Sequence, residues 1–304
     1  MTVCIGCGGN PVGPVVWATQ AAQARFCVAC GIATTTPEPA YEDRLTTLED
    51  QHGEAFYAAP AAFRARWLTG LLPPGARVLE VGCGAGAQLQ AFRASGFNVG
   101  GIEAMPTRAA RARDAGLAVK TGFFEQQSPS PDWDAVYHTD LLSHVADPGG
   151  FLRQMQPWLA GPEGVVAFEV GVFDGPPEGW SRWLRSPGLH VHRRFYTSEG
   201  LARLLARAGL RCVARRDFDL GAYTAWIRAV GVARSALGRA PSQGATRGTA
   251  PETAVPRSPS GARWANERLA AWLRYGPASR ISTGAPRTLL VAARFNEGVP
   301  RSET

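Results

Sequence analysis

Residues 78–86 read Val-Leu-Glu-Val-Gly-Cys-Gly-Ala-Gly, and an acid, Glu103, closes the next apolar run seventeen residues beyond Gly86. No other stretch restricts the fold as strongly. Val78, Leu79 and Val81 predict a buried strand that runs straight into a turn carrying Gly82, Gly84 and Gly86. Glycines at such a turn allow positive φ and a close approach of backbone to ligand. The periodic segment from Gln88 to Ser95 predicts a helix whose unpaired N–H groups face that ligand. Glu103 stands at the tip of a second strand, where a carboxylate can accept both hydroxyls of a ribose, as in nucleotide-binding α/β folds.

The glycines alone are ambiguous, because Gly82-x-Gly84-x-x-Ala87 also satisfies a dinucleotide fingerprint with alanine at the third position. Glu80 separates the two readings. An acid two residues before the first glycine would face the pyrophosphate of a dinucleotide, and like charges repel. S-adenosylmethionine has no phosphate and carries an ammonium that an acid can hold, directly or through water.

Strands and helices alternate beyond this point, the pattern of a parallel sheet with crossover helices. Strands are predicted over 77–82, 98–103, 117–120, 133–138, 164–170, 210–216 and 288–294, with helices over 88–95, 108–115, 201–208 and 263–275. A further helix opens at Asp147-Pro148, an N-cap followed by proline. Ahead of the first strand, residues 41–72 have helical periodicity and stop at Pro73-Pro74-Gly75. Residues 238–262 hold no aromatic residue and are rich in Ala, Pro, Ser, Gly, Arg and Thr, too little apolar surface to order themselves. The organisation expected is a metal-binding ribbon over 1–36, a helical linker over 37–72, an α/β core over 73–237, a flexible insertion over 238–262, a closing helix and strand over 263–296, and a tail over 297–304.

Four of the six cysteines fall in the first thirty residues, as Cys4-x-x-Cys7 and Cys27-x-x-Cys30. Two such pairs nineteen residues apart fit a structural zinc site closed by four thiolates. A module this short needs the metal to supply folding energy. The start of the chain lacks the basic and apolar regions of a secretory signal, and no run approaches the length of a membrane span, so a cytoplasmic protein is expected. The net charge of +7 comes almost wholly from arginine, Lys120 being the one lysine, in a chain rich in Ala, Gly and Pro throughout. That reads as compositional bias and not as a nucleic-acid surface.

Glu80-x-Gly82-x-Gly84-x-Gly86 resembles the first motif of the class I S-adenosylmethionine-dependent methyltransferases. Asp134-Ala-Val-Tyr-His138 is placed like their fourth-strand motif. Residues 139–148 resemble a segment that commonly reads Asn-Val-Leu-Glu-His-x-x-Asp-Pro, with Asp140 in place of Asn and Ser143 in place of Glu. Residues 192–201 resemble a His-x-x-Tyr-Phe-Ser/Thr stretch. The paired cysteines ahead of such a domain are similar to those of bacterial methyltransferases acting on natural products, sugars and surface glycans. The resemblance implies a Rossmann-like seven-stranded sheet with an antiparallel last strand, behind a small zinc ribbon. It implies methyl transfer to oxygen, or to nitrogen or carbon, of a small molecule or sugar. A zinc-tethered RNA methyltransferase and a non-catalytic cofactor-binding module are the alternatives.

By this resemblance Gly82, Gly84 and Gly86 line the methionine end of the cofactor, with Glu80 at the ammonium and Glu103 on the ribose. Phe123 or Phe124, just past the third strand, stacks on adenine, and His138 lies at the same carboxyl edge. A hydroxyl acceptor benefits from a general base, and histidine suits neutral pH. His144, His190 and His192 are the candidates, with Asp140 placed to orient His144 if the two share a helical turn. Residues 174–196, rich in aromatics, are expected to roof the acceptor.

Overall fold

The computed structural model describes residues 4, 7, 9, 13–38, 54–184, 192–236 and 261–297. Residues 238–260 of the insertion expected over 238–262, the first part of the 41–72 helix, the end of the tail and His190 lie outside the described residues, and residues 261–262 open a helix instead.

All seven expected strands form. They are β4 (Arg77–Val81), β5 (Asn98–Glu103), β6 (Val119–Thr121), β7 (Ala135–Thr139), β8 (Val165–Val172), β10 (Leu210–Asp219) and β11 (Arg287–Phe295). Three more, β1 (Val15–Ala18), β2 (Gln23–Cys27) and β3 (Ile32–Thr36), build the cysteine module, and a short β9 (Arg194–Tyr196) precedes β10. The core order is β6-β5-β4-β7-β8-β11-β10. β4 to β8 run parallel, and β11 runs antiparallel to both β8 and β10. Four of the five residues of β4 are buried, as befits a strand covered on both faces.

Helices α1 (Glu54–Thr69) and α2 (Ala87–Ala94) cover one face, burying Ala65, Leu68 and Phe92 against Val78, Tyr137 and Ala167. On the other face α4 (Pro148–Arg153) and α5 (Ser198–Arg207) bury Phe151, Leu152, Leu201, Leu204 and Leu205 against Leu79, Val136 and Phe168. α3 (Pro106–Asp114) flanks β5 and β6. Local sequence explains the starts. Asp147 accepts from the Gly150 N–H at 2.9 Å with Pro148 next in line, and Thr197 accepts from the Gly200 N–H at 2.9 Å. Near the C-terminal side lie α6 (Gly221–Ala236), which the sequence reading did not predict, and α7 (Gly261–Tyr275).

The cysteine module does not hang from a linker. β3 pairs antiparallel with β9 through Ile32–Tyr196, Ala33–Phe195 and Thr34–Arg194, and Tyr196 pairs with Val172 of β8. The result is one continuous sheet of eleven strands, with the module joined at the carboxyl end of β8. Cys4, Cys27, Cys30 and Ile32 share a core cluster with Leu201 and Leu204 of α5. Gly31 accepts bonds from the N–H and hydroxyl of Thr197, at 2.9 and 3.0 Å, and has φ of 75°. A Cβ there would meet the Thr197 hydroxyl at 2.4 Å, so the docking requires glycine.

Candidate functional site

The loop between β4 and α2 is built by positive φ at Gly82, Gly84 and Gly86. A Cβ on Gly82 would come within 2.9 Å of Leu141, which follows β7. The amides of Gly82 and Cys83 donate to the Ile102 carbonyl at 2.8 and 3.2 Å, anchoring the loop to β5. Glu103 is 4% exposed, and its carboxylate accepts from the amides of Gly84 at 2.8 Å and Met105 at 2.9 Å. A carboxylate offers about four lone-pair sites, so acceptor capacity remains for a diol. The side chain of Gln88 at the start of α2 donates to the Ala61 carbonyl at 3.1 Å, which ties α1 to this loop.

Glu80 lies opposite Tyr137 in the sheet, on the face covered by α1. It is 3% exposed, and its Oε2 has no hydrogen-bond partner. Burial pushes its pKa up to about 8, partly offset by Arg64 and reinforced by Glu103. An orphaned buried carboxylate beside the glycine turn fits a ligand that brings its own cation. It also sets a pH dependence. In the unfolded chain a glutamate ionises near ~4.3. Between that value and about 8 the ligand-free fold holds a proton that the unfolded chain lacks, so this residue makes stability fall as pH rises. Denaturant midpoints of ligand-free Glu80→Gln should therefore fall less than wild type over this window; an unchanged slope would show that Glu80 is ionised in the fold.

Phe124 is core, edge-on to Phe151 at 5.6 Å and tilted against Trp158 at 5.4 Å. Phe123 is half-buried, one residue past Gly122, whose amide donates to the Glu103 carbonyl at 2.9 Å. His138 lies inside β7, stacked on Phe168 at 5.1 Å with neither ring nitrogen bonded. Burial takes its pKa down to about 3. Its ring therefore sits in the apolar layer under α4.

His144 and His192 come together edge to face, with ring centroids 4.5 Å apart. The cysteine module holds His192: its carbonyl accepts from the Thr35 hydroxyl at 2.7 Å, while the next amide, that of Arg193, donates to the Ser143 carbonyl at 2.8 Å. Arg194 is fully buried, paired with Glu38 at 2.6 Å and donating to the Ala146 carbonyl at 3.1 Å.

The sequence reading missed a buried charge cluster at the carboxyl end of β8. Glu169 accepts a two-pronged pair of bonds from Arg64 of α1, at 2.8 and 3.0 Å. It also accepts from Arg274 of α7 at 2.6 Å and from the Tyr275 hydroxyl at 2.8 Å. Burial raises its pKa, but Arg64 and Arg274 outweigh that and hold it at about 2. Beside it, Asp140 has φ of 56°, the one positive value outside glycine among the described residues. The signal was present: Glu169 is the single charge in the run Val-Val-Ala-Phe-Glu-Val-Gly-Val.

The sulfurs of Cys4, Cys7, Cys27 and Cys30 all lie within 4.8 Å of one another, with Cys4–Cys30 at 3.3 Å and Cys7–Cys27 at 3.5 Å. A tetrahedron with metal–sulfur bonds of ~2.3 Å places its sulfurs about 3.8 Å apart, so the four thiols fit a zinc-type centre.

This fold and this loop define a class I S-adenosylmethionine-dependent methyltransferase domain. The sequence profile of a family described as a methyltransferase domain matches residues 52–215, and the chain belongs to that family. It is similar to a ubiquinone biosynthesis O-methyltransferase of Ruegeria sp. (strain TM1040), 28% identical over 160 residues, 47% of this chain and 64% of that one. A protein of the same name from Caulobacter sp. (strain K31) is 30% identical over 149 residues, 43% of this chain and 58% of that one. The chain thus spans less than two thirds of these relatives. Among solved structures, the cyclopropane synthase MmaA2 from Mycobacterium tuberculosis shares the fold with a TM-score of 0.53 at 15% identity, covering 85% of this chain and 99% of that one. A geranyl diphosphate methyltransferase in complex with S-adenosylmethionine has a TM-score of 0.51 at 16% identity, covering 85% and 96%. Among the described residues no helix is long and apolar enough to cross a membrane.

Proposed function

We propose that this chain moves the methyl group of S-adenosylmethionine to an oxygen of a small molecule or sugar, in bacterial secondary metabolism or glycan synthesis. Nitrogen and carbon acceptors are the lesser options. The observation that carries the reading is the cradle formed by the Gly82–Gly86 turn, the clamped Glu103 and the unpartnered Glu80. The bound cofactor supplies an electrophilic methyl group on a positive sulfur. The chain's own residues supply alignment, which accounts for much of the rate in such a transfer. Glu80 holds the ammonium, the three glycines admit the methionine end, Glu103 takes the ribose diol and Phe123 faces the adenine. Phe124 and His138 are assigned to packing because their rings are enclosed by Phe151, Trp158 and Phe168. The relatives named for O-methylation in ubiquinone biosynthesis favour an oxygen acceptor. The four cysteines are assigned one structural zinc.

Calorimetry with S-adenosylmethionine and S-adenosylhomocysteine tests the cradle. Glu103→Ala should weaken binding by about 1.5–3 kcal/mol, the scale of a lost charge-assisted hydrogen bond. Tight NAD binding without response to either sulfur compound would reverse the assignment.

A further inference from the structure

We propose that Asp140 is the catalytic base of this site, taking the proton of the acceptor's hydroxyl as that oxygen attacks the methyl carbon. The assignment rests on the methyl-transfer reading above. β7 lies beside β4 with His138 opposite Val81, so the chain beyond His138 runs alongside the glycine turn, and Leu141 packs on Gly82. The Asp140 amide donates to the Glu169 carbonyl at 3.0 Å. In a continuing strand, residue 140 would point with His138 into the Phe151–Phe168 core. A φ of 56° at Asp140 breaks that alternation, and Glu169 of β8, Arg64 of α1 and Arg274 of α7 act electrostatically on its carboxylate. Glu80 looks onto the same face.

Asp140 and Glu169 differ in what they have free. Glu169 is fully enclosed, with both oxygens engaged by Arg64, Arg274 and Tyr275. Asp140 is half-buried, and among the described residues no donor engages its carboxylate. Burial, then Glu169, push its pKa up to about 6, against Arg274 and Arg64. A carboxylate of that strength is ionised at neutral pH yet basic enough to receive a proton. A lone pair of the acceptor oxygen forms the O–C bond, and the C–S pair returns to sulfur. The O–H pair stays on oxygen, and the proton goes to the Asp140 carboxylate and from there to water. One positive and one negative charge disappear together.

The test uses the full-length, metal-loaded protein with methyl-labelled S-adenosylmethionine and a panel of phenols, catechols and free sugars. Asp140→Asn should lower kcat roughly 10²–10⁴-fold on the methylated members. It should leave S-adenosylhomocysteine affinity within about twofold and abolish a rise of kcat centred near pH 6. Asp140→Glu should restore part of the rate. In the S-adenosylhomocysteine complex, the side-chain carboxyl carbon of Asp140, assigned in carbon NMR by its loss in Asp140→Asn, should titrate in the same range. Near-normal turnover with an unchanged pH profile in Asp140→Asn overturns the proposal, as does a carboxyl signal titrating as an ordinary aspartate. A wild-type protein that binds S-adenosylhomocysteine but methylates no panel member overturns the hydroxyl-transfer reading and the base with it.

Discussion

Cys27→Ser should lower bound zinc from about one per chain to well below that and unfold more than the cysteine module. Structural zinc contributes ~10–16 kcal/mol to the folding of small metal domains, and residues 1–36 are too few to bury a core of their own. β3 is also the neighbour of β9, and Thr35 holds the backbone at His192 and Arg193. Hydrogen exchange should therefore rise in β1–β3 and in residues 192–196 together, while β4–β8 stay protected. Metal analysis and peptide-resolved exchange check this. Metal-depleted protein with residues 192–196 still protected would separate the module from the rest of the sheet.

Glu169→Ala carries the second large effect. It removes the shared partner of two buried arginines, and breaking a buried ion pair from one side costs about 3–5 kcal/mol because the remaining charge has lost its compensation. For a domain of this size that is a fall of roughly 6–20 °C in Tm. Glu169→Gln keeps the shape and should recover part of the loss. The wild-type contribution also depends on pH. With a folded pKa of about 2, below the unfolded value near ~4.3, it is present in full above the unfolded value and fades as pH falls through the folded one. Scanning calorimetry of the three proteins decides it. Equal melting temperatures would mean that Arg64 and Arg274 find other partners.

The legible parts were those with long periodic or spaced signals. Seven strands, the glycine turn, Glu103 and the four cysteines could each be read from pattern or spacing. Boundaries moved by a residue or two where flanking residues are ambiguous: Trp133, expected inside the fourth strand, makes an isolated bridge to Leu159 ahead of β7. β9 is three residues long, too short to register as a period, yet it joins the module to the sheet. α6 begins at Gly221 and its apolar pattern is too weak to mark a helical period. The Glu169 cluster joins residues 105 positions apart on each side, Arg64 and Arg274, a contact that no local pattern encodes. Asp140 would orient His144 only if the two shared a helical turn, and its backbone is left-handed, at φ of 56°. Side-chain direction there depends on one dihedral angle.

The pairing of β3 with β9 changes what counts as a transplantable part. Four cysteines at the front of a chain invite treatment as a cassette, to be cut away or exchanged between enzymes. Here the cut would run through a hydrogen-bonded ladder. It would bare the edge of β9 at Ala33–Phe195 and the buried faces of Leu201 and Leu204. A bared strand edge beside apolar surface is a template for association between copies. The smallest exchangeable unit is therefore discontinuous: β1–β3 together with β9 and the first turn of α5, two segments more than 150 residues apart in sequence that must be chosen as one.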